Sequence, residues 1–596
     1  MNLYPELIQD PNEREKNKAF LYGTPGRHVF KDLTTIDAAA TPIRGIWTGA
    51  GRCFVAAGTK YFEISSTGTL IGSVRTISNA SVLGFSNTPV QFFPNGNQLF
   101  IVAGGVGYID NGSGPIQITI GNSSGQVTVL AKSGTVNTTA TIVDWATGNT
   151  FVTDGSWTGR AIIINAVTYT IATVTTATQL ILTSTAGSQS GVAFSMPNSD
   201  VFWAGGDKFV DDGSWVGKTI VINGSNFTIG NSPAPPTSML LFTTTIAVTT
   251  IAPYSVAGYT PAFVTGAYLN DSFFANQLNT RTANFSGVFR GDLWNGLDLI
   301  SKDTWPDNVL CVLSNGAQVF LFGTDSFDVY QANPGSTTTF FTRIDGASCR
   351  MGVASPWSPI SIGGNVYFMG IGAQGNPIAY ILDGFTPKRI SQHAQEASWG
   401  AAHLGPGCMS YTYTEEGHSF WMVNFGSETW GFDTTTGAWH QRSTGSGYTA
   451  YPTAYHSYIP EFGTGKHLTG GPLNGTIYES SAAFYDDAGA DIYWRRALPF
   501  SYNDRKRIYD NRLELEMETG TAPSGTPVVT LDYSDDRGHT FGASEDASIG
   551  ASTAYSTRVF SNALGSFFER VYRFSGHGQG RVALIDVEVE REMGTC

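Results

Sequence analysis

Charge is scarce in this chain. Asp, Glu, Lys and Arg make up 14% of its 596 residues, against about 25% in an ordinary globular protein. Much of the surface must then be Thr, Ser, Asn and Gly, which desolvate cheaply and suit permanent interfaces as well as a plain β-rich exterior. The charge that is present is acidic, with 34 Lys and Arg against 48 Asp and Glu for a net −14. This argues against a tight wrapper of nucleic acid, whose affinity rests on cations neutralising phosphates. It leaves open a protein that surrounds DNA without gripping it. Cysteine is sparse as well. Cys53, Cys311, Cys349, Cys408 and Cys596 are odd in number and scattered, with no CxxC spacing, which argues against zinc and a disulfide framework. Free buried thiols in a reducing compartment are expected. No apolar run approaches the ~20 residues of a membrane span, and Met1 to Leu7 carries no secretory signal. Stable membrane insertion is not expected. Helical periodicity is nearly absent; Asp10 to Ala19, with Pro11 in a first turn, is the one short candidate.

What remains is strand after strand. Runs of four to eight β-branched and aromatic residues are bounded by Gly, Asn, Asp and Pro. A recurring block joins two such runs across a Gly-rich turn. It appears at Arg52–Ile64, Gln98–Ile109, Val264–Asn276, Val319–Tyr330, Asn365–Leu382 and Ser419–Asp433. Blocks of one form at irregular spacing are what propeller blades look like once sequence identity between repeats has eroded. They predict an all-β chain with a β-propeller of about six blades; the competing reading is a set of unrelated sandwiches.

The series is interrupted between about 116 and 257 by a near-repeat. Trp145 and Trp203, Phe151 and Phe209, and Trp157 and Trp215 are each 58 residues apart, and Ile162-Ile163-Ile164-Asn165 returns as Ile220-Val221-Ile222-Asn223. Neither copy carries a nucleophile–base pair or a metal cluster, so this duplicated β-unit adds surface and not chemistry. Trp145, Trp157, Trp203 and Trp215 are expected to plug the two cores; carbohydrate platforms are the alternative.

Beyond about 480 the texture changes to strict alternation. Glu514, Glu516 and Glu518 share one strand face, and Asp586, Glu588 and Glu590 share another. Period-two patterning marks half-buried strands, hence a C-terminal β-sandwich with one solvated face. If the two strands were neighbours, like charges would oppose each other. Exposure and pairing with Arg512 or the Arg505–Arg507 cluster is the expected relief, with a bound cation the alternative. Ser534, Asp536, Gly538, Thr540 and Phe541 fit S-x-D-x-G-x-T-F, which resembles the Asp-box hairpin turn of sialidase propellers. Its role is local: Asp536 ties turn amides, Gly538 takes the unusual φ, and Phe541 packs inward. Glu415-Glu416-Gly417-His418 reads as a hairpin tip and not a metal site. No HExxH, GxSxG, phosphate loop or dinucleotide fingerprint appears, so no catalytic residue, metal or cofactor is assigned.

Several segments, in order, resemble one family. These are Asn2-Leu3-Tyr4-Pro5-Glu6, Leu21 to Gly26, Leu269 to Phe274, Asp292-Leu293-Trp294, Phe322 to Tyr330, Ser348 to Ser355, and the stretch from Arg505 through Tyr533 to Gly538 and the last strand. They are similar to the packaged-DNA stabilisation proteins of short-tailed bacteriophages, the tail hub or nozzle proteins. The likeness covers about three quarters of the chain, and the duplicated insert departs from it. It implies a structural virion protein of the tail, assembled in the host cytoplasm and not an enzyme. It further implies a homohexameric ring below a head-to-tail adaptor, beside tail fibres or tailspikes, and with a tail needle or plug as a further partner. Such a ring would retain packaged double-stranded DNA and later conduct it without reading its sequence. Glu514, Glu516, Glu518, Asp586, Glu588 and Glu590 are the candidates for channel lining. The expected domains are 1–115 (propeller, first part, with an N-terminal arm), 116–257 (the inserted pair), 258–480 (propeller, second part) and 481–596 (sandwich). The rival function is a carbohydrate-active propeller, either a sialidase-like hydrolase or a glycan-binding adhesin.

Overall fold

A computed structural model describes the chain apart from residues 8–18, 121–122, 130–131, 152, 154–156, 197–199, 207–218, 223–224, 232–238, 243–251, 257–260, 334–335, 337–339, 372–374, 402–407, 523–526 and 595–596. Residues 10–18 of the short helix candidate lie outside the described residues. The fold is all-β, and His393–Ala401 is the one α-helix among the described residues. The chain separates into two compact units, one made of Met1–Ile118, Pro261–Leu293 and Leu297–Cys596, the other of Thr119–Thr260 with Trp294–Gly296.

In the first unit, consecutive antiparallel meanders form the blades of a propeller. Their innermost strands are Ile43–Gly49, Gln91–Pro94, Phe263–Leu269, Val309–Asn315, Ile360–Ile362, Met409–Glu415 and Tyr455–Ile459, here the first strands of blades 1 to 7. Each touches the next, and the seventh returns to the first, so the ring is closed. The count is therefore seven. The blade missing from the sequence reading is composite: Tyr455–Ile459, Lys466–Gly470 and Thr476–Ser481 are completed by Gly26–Asp32, from the other end of the chain. Its strands carry His, Lys and Thr in place of the aromatic runs that marked the other six.

Hairpins within blades are set by two-residue turns with both central residues at positive φ. These are Ala50-Gly51, Asn270-Asp271, Gly363-Gly364 and Glu416-Gly417. That geometry matches the twist of paired strands. Aromatic and branched residues on both faces then pack blade on blade. Ile43, Val55 and Phe62 of blade 1 share a core with Ile459, Leu468 and Ile477 of blade 7, and Phe320 and Phe322 of blade 4 share one with Val366 and Phe368 of blade 5.

The sandwich belongs to the same unit. One sheet runs Leu3–Leu7, Ala19–Gly23, Ala583–Met593, Ile508–Met517, Val559–Phe567; the other continues from blade 7 through Asp486–Asp487, Ala490–Ala497, Glu569–Gly578, Val528–Ser534 and Gly542–Ser548. Between them lie Trp494, Leu513, Leu515, Val529, Leu531 and Phe574. The first residues of the chain thus join the sandwich sheet, and Gly26–Asp32 follows into the propeller.

The second unit holds two closed six-stranded barrels of the same strand order. One is continuous, from Lys132–Thr139 to Gln189–Met196. The other combines Ser123–Val129 with strands from Asp200–Gly206 to Ala252–Val256. The continuous barrel is therefore inserted after the first strand of its own relative.

Candidate functional site

The sandwich brings the two acidic strands together. Arg512 faces Glu590, Glu514 faces Glu588, and Glu516 faces Asp586 across one antiparallel ladder. Inward residues Leu513, Leu515 and Met517 hold this register in the core, so the charges are confined to the outer face. Arginines supply the relief. Arg558 donates to both Glu514 carboxylate oxygens at 2.7 Å, and Arg512 lies 2.9 Å from the same carboxylate. The hydrogen bond from Arg558 holds the Glu514 carboxyl below its usual range. Arg581 stands 3.5 Å from Glu518. Glu516, Glu588 and Glu590 are exposed, so the face keeps an acidic surplus. The Arg505–Arg507 cluster lies elsewhere: Arg507 donates to Ser566 at 3.0 Å and sits over the Phe568 ring at 4.8 Å.

The S-x-D-x-G-x-T-F turn joins strands Val528–Ser534 and Gly542–Ser548. Ser534 donates to Asp536 at 2.6 Å and accepts the Gly538 N–H at 2.7 Å, while Asp536 accepts the Thr540 N–H at 2.9 Å and its hydroxyl at 2.5 Å. Those bonds keep the Asp536 carboxyl far below the usual carboxylate range. Gly538 adopts φ +92°. Phe541 is half-buried beneath the Arg573 guanidinium, 3.8 Å from its ring centre. Both Asp536 oxygens are committed to the turn.

Of the repeat tryptophans, Trp157 is fully buried among Phe151, Ile162, Leu180 and Phe194, and Trp145 packs against the same core half-buried. Trp203 lies in the strand Asp200–Gly206. Trp215 lies outside the described residues. At the Glu415–His418 tip, Glu416 is exposed, whereas His418 turns inward and its Nδ1 meets buried Asp433 at 2.8 Å. Among the described residues no group of three His, Cys, Asp or Glu side chains is placed to hold a metal ion. Burial pushes the Cys53 and Cys311 thiols up to about 12, which leaves them unreactive.

Sequence reasoning missed a polar cluster buried where blade 6 meets blade 7. Arg27 pairs with Asp487 and lies over Tyr451 and Tyr478. Arg442 lies 4.1 Å from the Tyr451 ring centre and donates to the Pro25 carbonyl at 2.7 Å. His456 and His467 meet at 3.0 Å. Burial, with Arg442 beside it, pushes His440 down to about 3, and burial with His467 does the same to His456. The alternation of Tyr411, Tyr413 and Glu415 on one strand was the available signal, but its partners come from residues 25–27 and 442–487.

A propeller joined to a β-sandwich, with its charges spent on ladders and turns, defines a structural protein of a phage tail once the comparisons are added. Residues 259–479 match the family model described as bacteriophage P22 Gp10, beta-propeller, and residues 493–592 match bacteriophage P22 Gp10, beta-sandwich. Together they span more than half of the chain. The chain belongs to the bacteriophage P22 Gp10 family, the tail hub or nozzle proteins of short-tailed phages. No curated protein matches it. Among solved structures it is similar to the WD40 domain of Neurospora crassa Pan2, at 5% identity and TM-score 0.33, covering 77% of this chain and 94% of that one. It is also similar to the N-terminal domain of Nup159, at 8% identity and TM-score 0.32, covering 78% and 96%. An exo-beta-1,3-galactanase from Phanerochaete chrysosporium is 12% identical with TM-score 0.21, covering 55% and 95%. None of these three likenesses bears on function.

Proposed function

We propose that the chain is the subunit of a homohexameric tail nozzle that retains packaged DNA and conducts it during ejection. The observation that carries this reading is the match of both domains, propeller and sandwich in order, to one tail hub family. Its partners in the proposal are a head-to-tail adaptor above, fibres or tailspikes at the side and a needle or plug below. Assembly takes place in the host cytoplasm. The same family match supports a structural role without enzymatic activity.

The acidic face of Glu514, Glu516, Glu518, Asp586, Glu588 and Glu590 is assigned to the channel wall. A conduit must confine a polyanion without holding it. Basic residues at the wall would release counterions on contact and create a salt-sensitive grip. Surplus carboxylates repel the duplex over a Debye length of about 8 Å at physiological ionic strength. Electron microscopy of the purified protein should show a sixfold ring with a through-channel. The assembled ring should bind short duplex DNA weakly at every salt concentration. Tight binding at low salt that collapses as salt rises would refute the passive wall, and a monomer in the virion-free and virion-bound states would refute the nozzle.

A further inference from the structure

Blades 1 and 2 leave an open cleft of ≈ 370 Å³ between them, at the small end of the range for ligand pockets, about 300–1,000 Å³. Much of its wall comes from the turns that join the first two strands of each blade, around Ala50 and Asn97, and from the loop after the third strand of blade 2. In an antiparallel meander those three connections fall on one face of the propeller.

The floor is aromatic. Trp47 is half-buried near the end of strand Ile43–Gly49, its ring centre 5.8 Å from that of Phe54 and tilted 31° to it. Gly49 makes room for the indole, because a Cβ there would come within 2.6 Å of the ring. Phe54 in turn lies beneath the Arg52 guanidinium, 4.7 Å from its ring centre. The two rings form one wall, and no aromatic residue stands opposite it among the described residues.

The rim is polar, and its charges cancel. Arg52 donates to both carboxylate oxygens of Glu63, at 2.7 and 2.8 Å, and Arg75 stands 3.4 Å from Asp110. Neither guanidinium is left to call for an anion. Neutral polar groups remain unspent. Asn97 is exposed, and neither its carboxamide nor the Trp47 indole N–H has a hydrogen-bond partner among the described residues. Nη1 of Arg75 is unpartnered as well. Asn111 accepts the Ser113 hydroxyl at 2.6 Å, which leaves its amide nitrogen to donate.

This combination selects a ligand class. A hydrocarbon would strip water from the rim and return no hydrogen bonds. A phosphate or carboxylate meets no spare cation. A planar base gains most between two facing walls, and here there is one. A saccharide ring meets both demands: its C–H face lies on an indole, and its hydroxyls donate and accept around the edge. Water would satisfy the rim but gains nothing from the indole face.

We infer that this cleft binds a neutral saccharide, with Trp47 beneath the ring and Asn97, Asn111 and Arg75 on its hydroxyls. Cleavage does not follow. Asp110 is the one carboxylate on the wall among the described residues, and it is committed to Tyr61 and to the N–H groups of Gly112 and Gly114, at 2.7 and 3.1 Å. Glycoside hydrolysis takes a pair. The site goes beyond the nozzle role and does not depend on it.

The test titrates the full chain by calorimetry with glucose, galactose, mannose, N-acetylglucosamine, maltose and lactose, and with adenosine as the planar control. At least one sugar should bind saturably and be recovered intact, and saturation-transfer NMR should mark the C–H groups of one ring face. Trp47→Ala should weaken binding about tenfold. Trp47 also packs against a core, so Asn97→Ala, a change at an exposed side chain, is run beside it; it should weaken binding severalfold and leave melting unchanged. No saturable sugar binding overturns the site, and so does a preference for adenosine. Equal affinity in wild type and both variants places the sugar elsewhere on the chain and overturns it too.

Discussion

Single side chains in this protein are mostly committed to holding the fold. Trp157 fills the core of one barrel, and Trp157→Ala should cost about 3–5 kcal/mol. Differential scanning calorimetry should show the loss in the transition that contains the insert; unchanged melting would remove Trp157 from the core. Asp536→Asn should lower the melting temperature and leave fluorogenic sialosides and common glycosides at background turnover, as in the wild type. Turnover lost on that substitution would restore the hydrolase. His440 and His456 report on pH. Burial holds both near 3 in the native state, whereas an unfolded histidine titrates near 6.5. Between those values the unfolded chain binds protons that the native state refuses. Stability therefore falls as pH drops from about 6.5 toward 3, by up to about 1.4 kcal/mol per pH unit for each histidine. Urea midpoints between pH 7 and 4 should show the decline, and His440→Phe should make it shallower. An equally steep limb in that variant would exclude His440 as a cause.

At the scale of elements, legibility followed sequence distance. Strands closed by local turns, such as Arg52–Ala57 with Lys60–Ile64, announce themselves through runs of branched and aromatic residues on either side of a glycine turn. The paired acidic strands announced their faces but not their register, because Ile508–Met517 and Ala583–Met593 are some 70 residues apart. Blade 7 was invisible because its fourth strand is drawn from residues 26–32. The buried cluster around Arg27 and Arg442 was hidden for the same reason: its members come from both ends of the propeller, Arg27 from the strand Gly26–Asp32 and Arg442, Tyr451, Tyr478 and Asp487 from the stretch 442–487. Periodicity reads a strand's two faces; it carries nothing about which distant strand will meet them. The duplication was legible as a repeat, but not as one barrel interrupting the other. That nesting gives a test. Removing Lys132–Met196 and joining Val129 to Asp200 by a short Gly-containing turn should leave a folded protein with one barrel. Excising Asp200–Val256 instead should break the discontinuous barrel and strand Ser123–Val129 without partners. Equal solubility and equal cooperativity of the two products would contradict the nesting.

For the whole molecule, the closure of blade 7 by Gly26–Asp32 sets a timetable. The strand that ends the propeller is made about 450 residues before its partner Thr476–Ser481. Ala19–Gly23 waits longer still for Ala583–Met593. At synthesis rates of 5–20 residues per second the first wait is roughly 20–90 s. Through that interval blades 1 to 6 can stack, but the ring stays open, and an unpaired strand edge is available to the wrong chain. The sandwich cannot complete its first sheet either. A ribosome-bound chain thus has no finished subunit surface, and neighbouring copies on one message have nothing correct to assemble with until each is almost entirely translated. Any assembly of copies is deferred to whole chains by the order in which the strands are made.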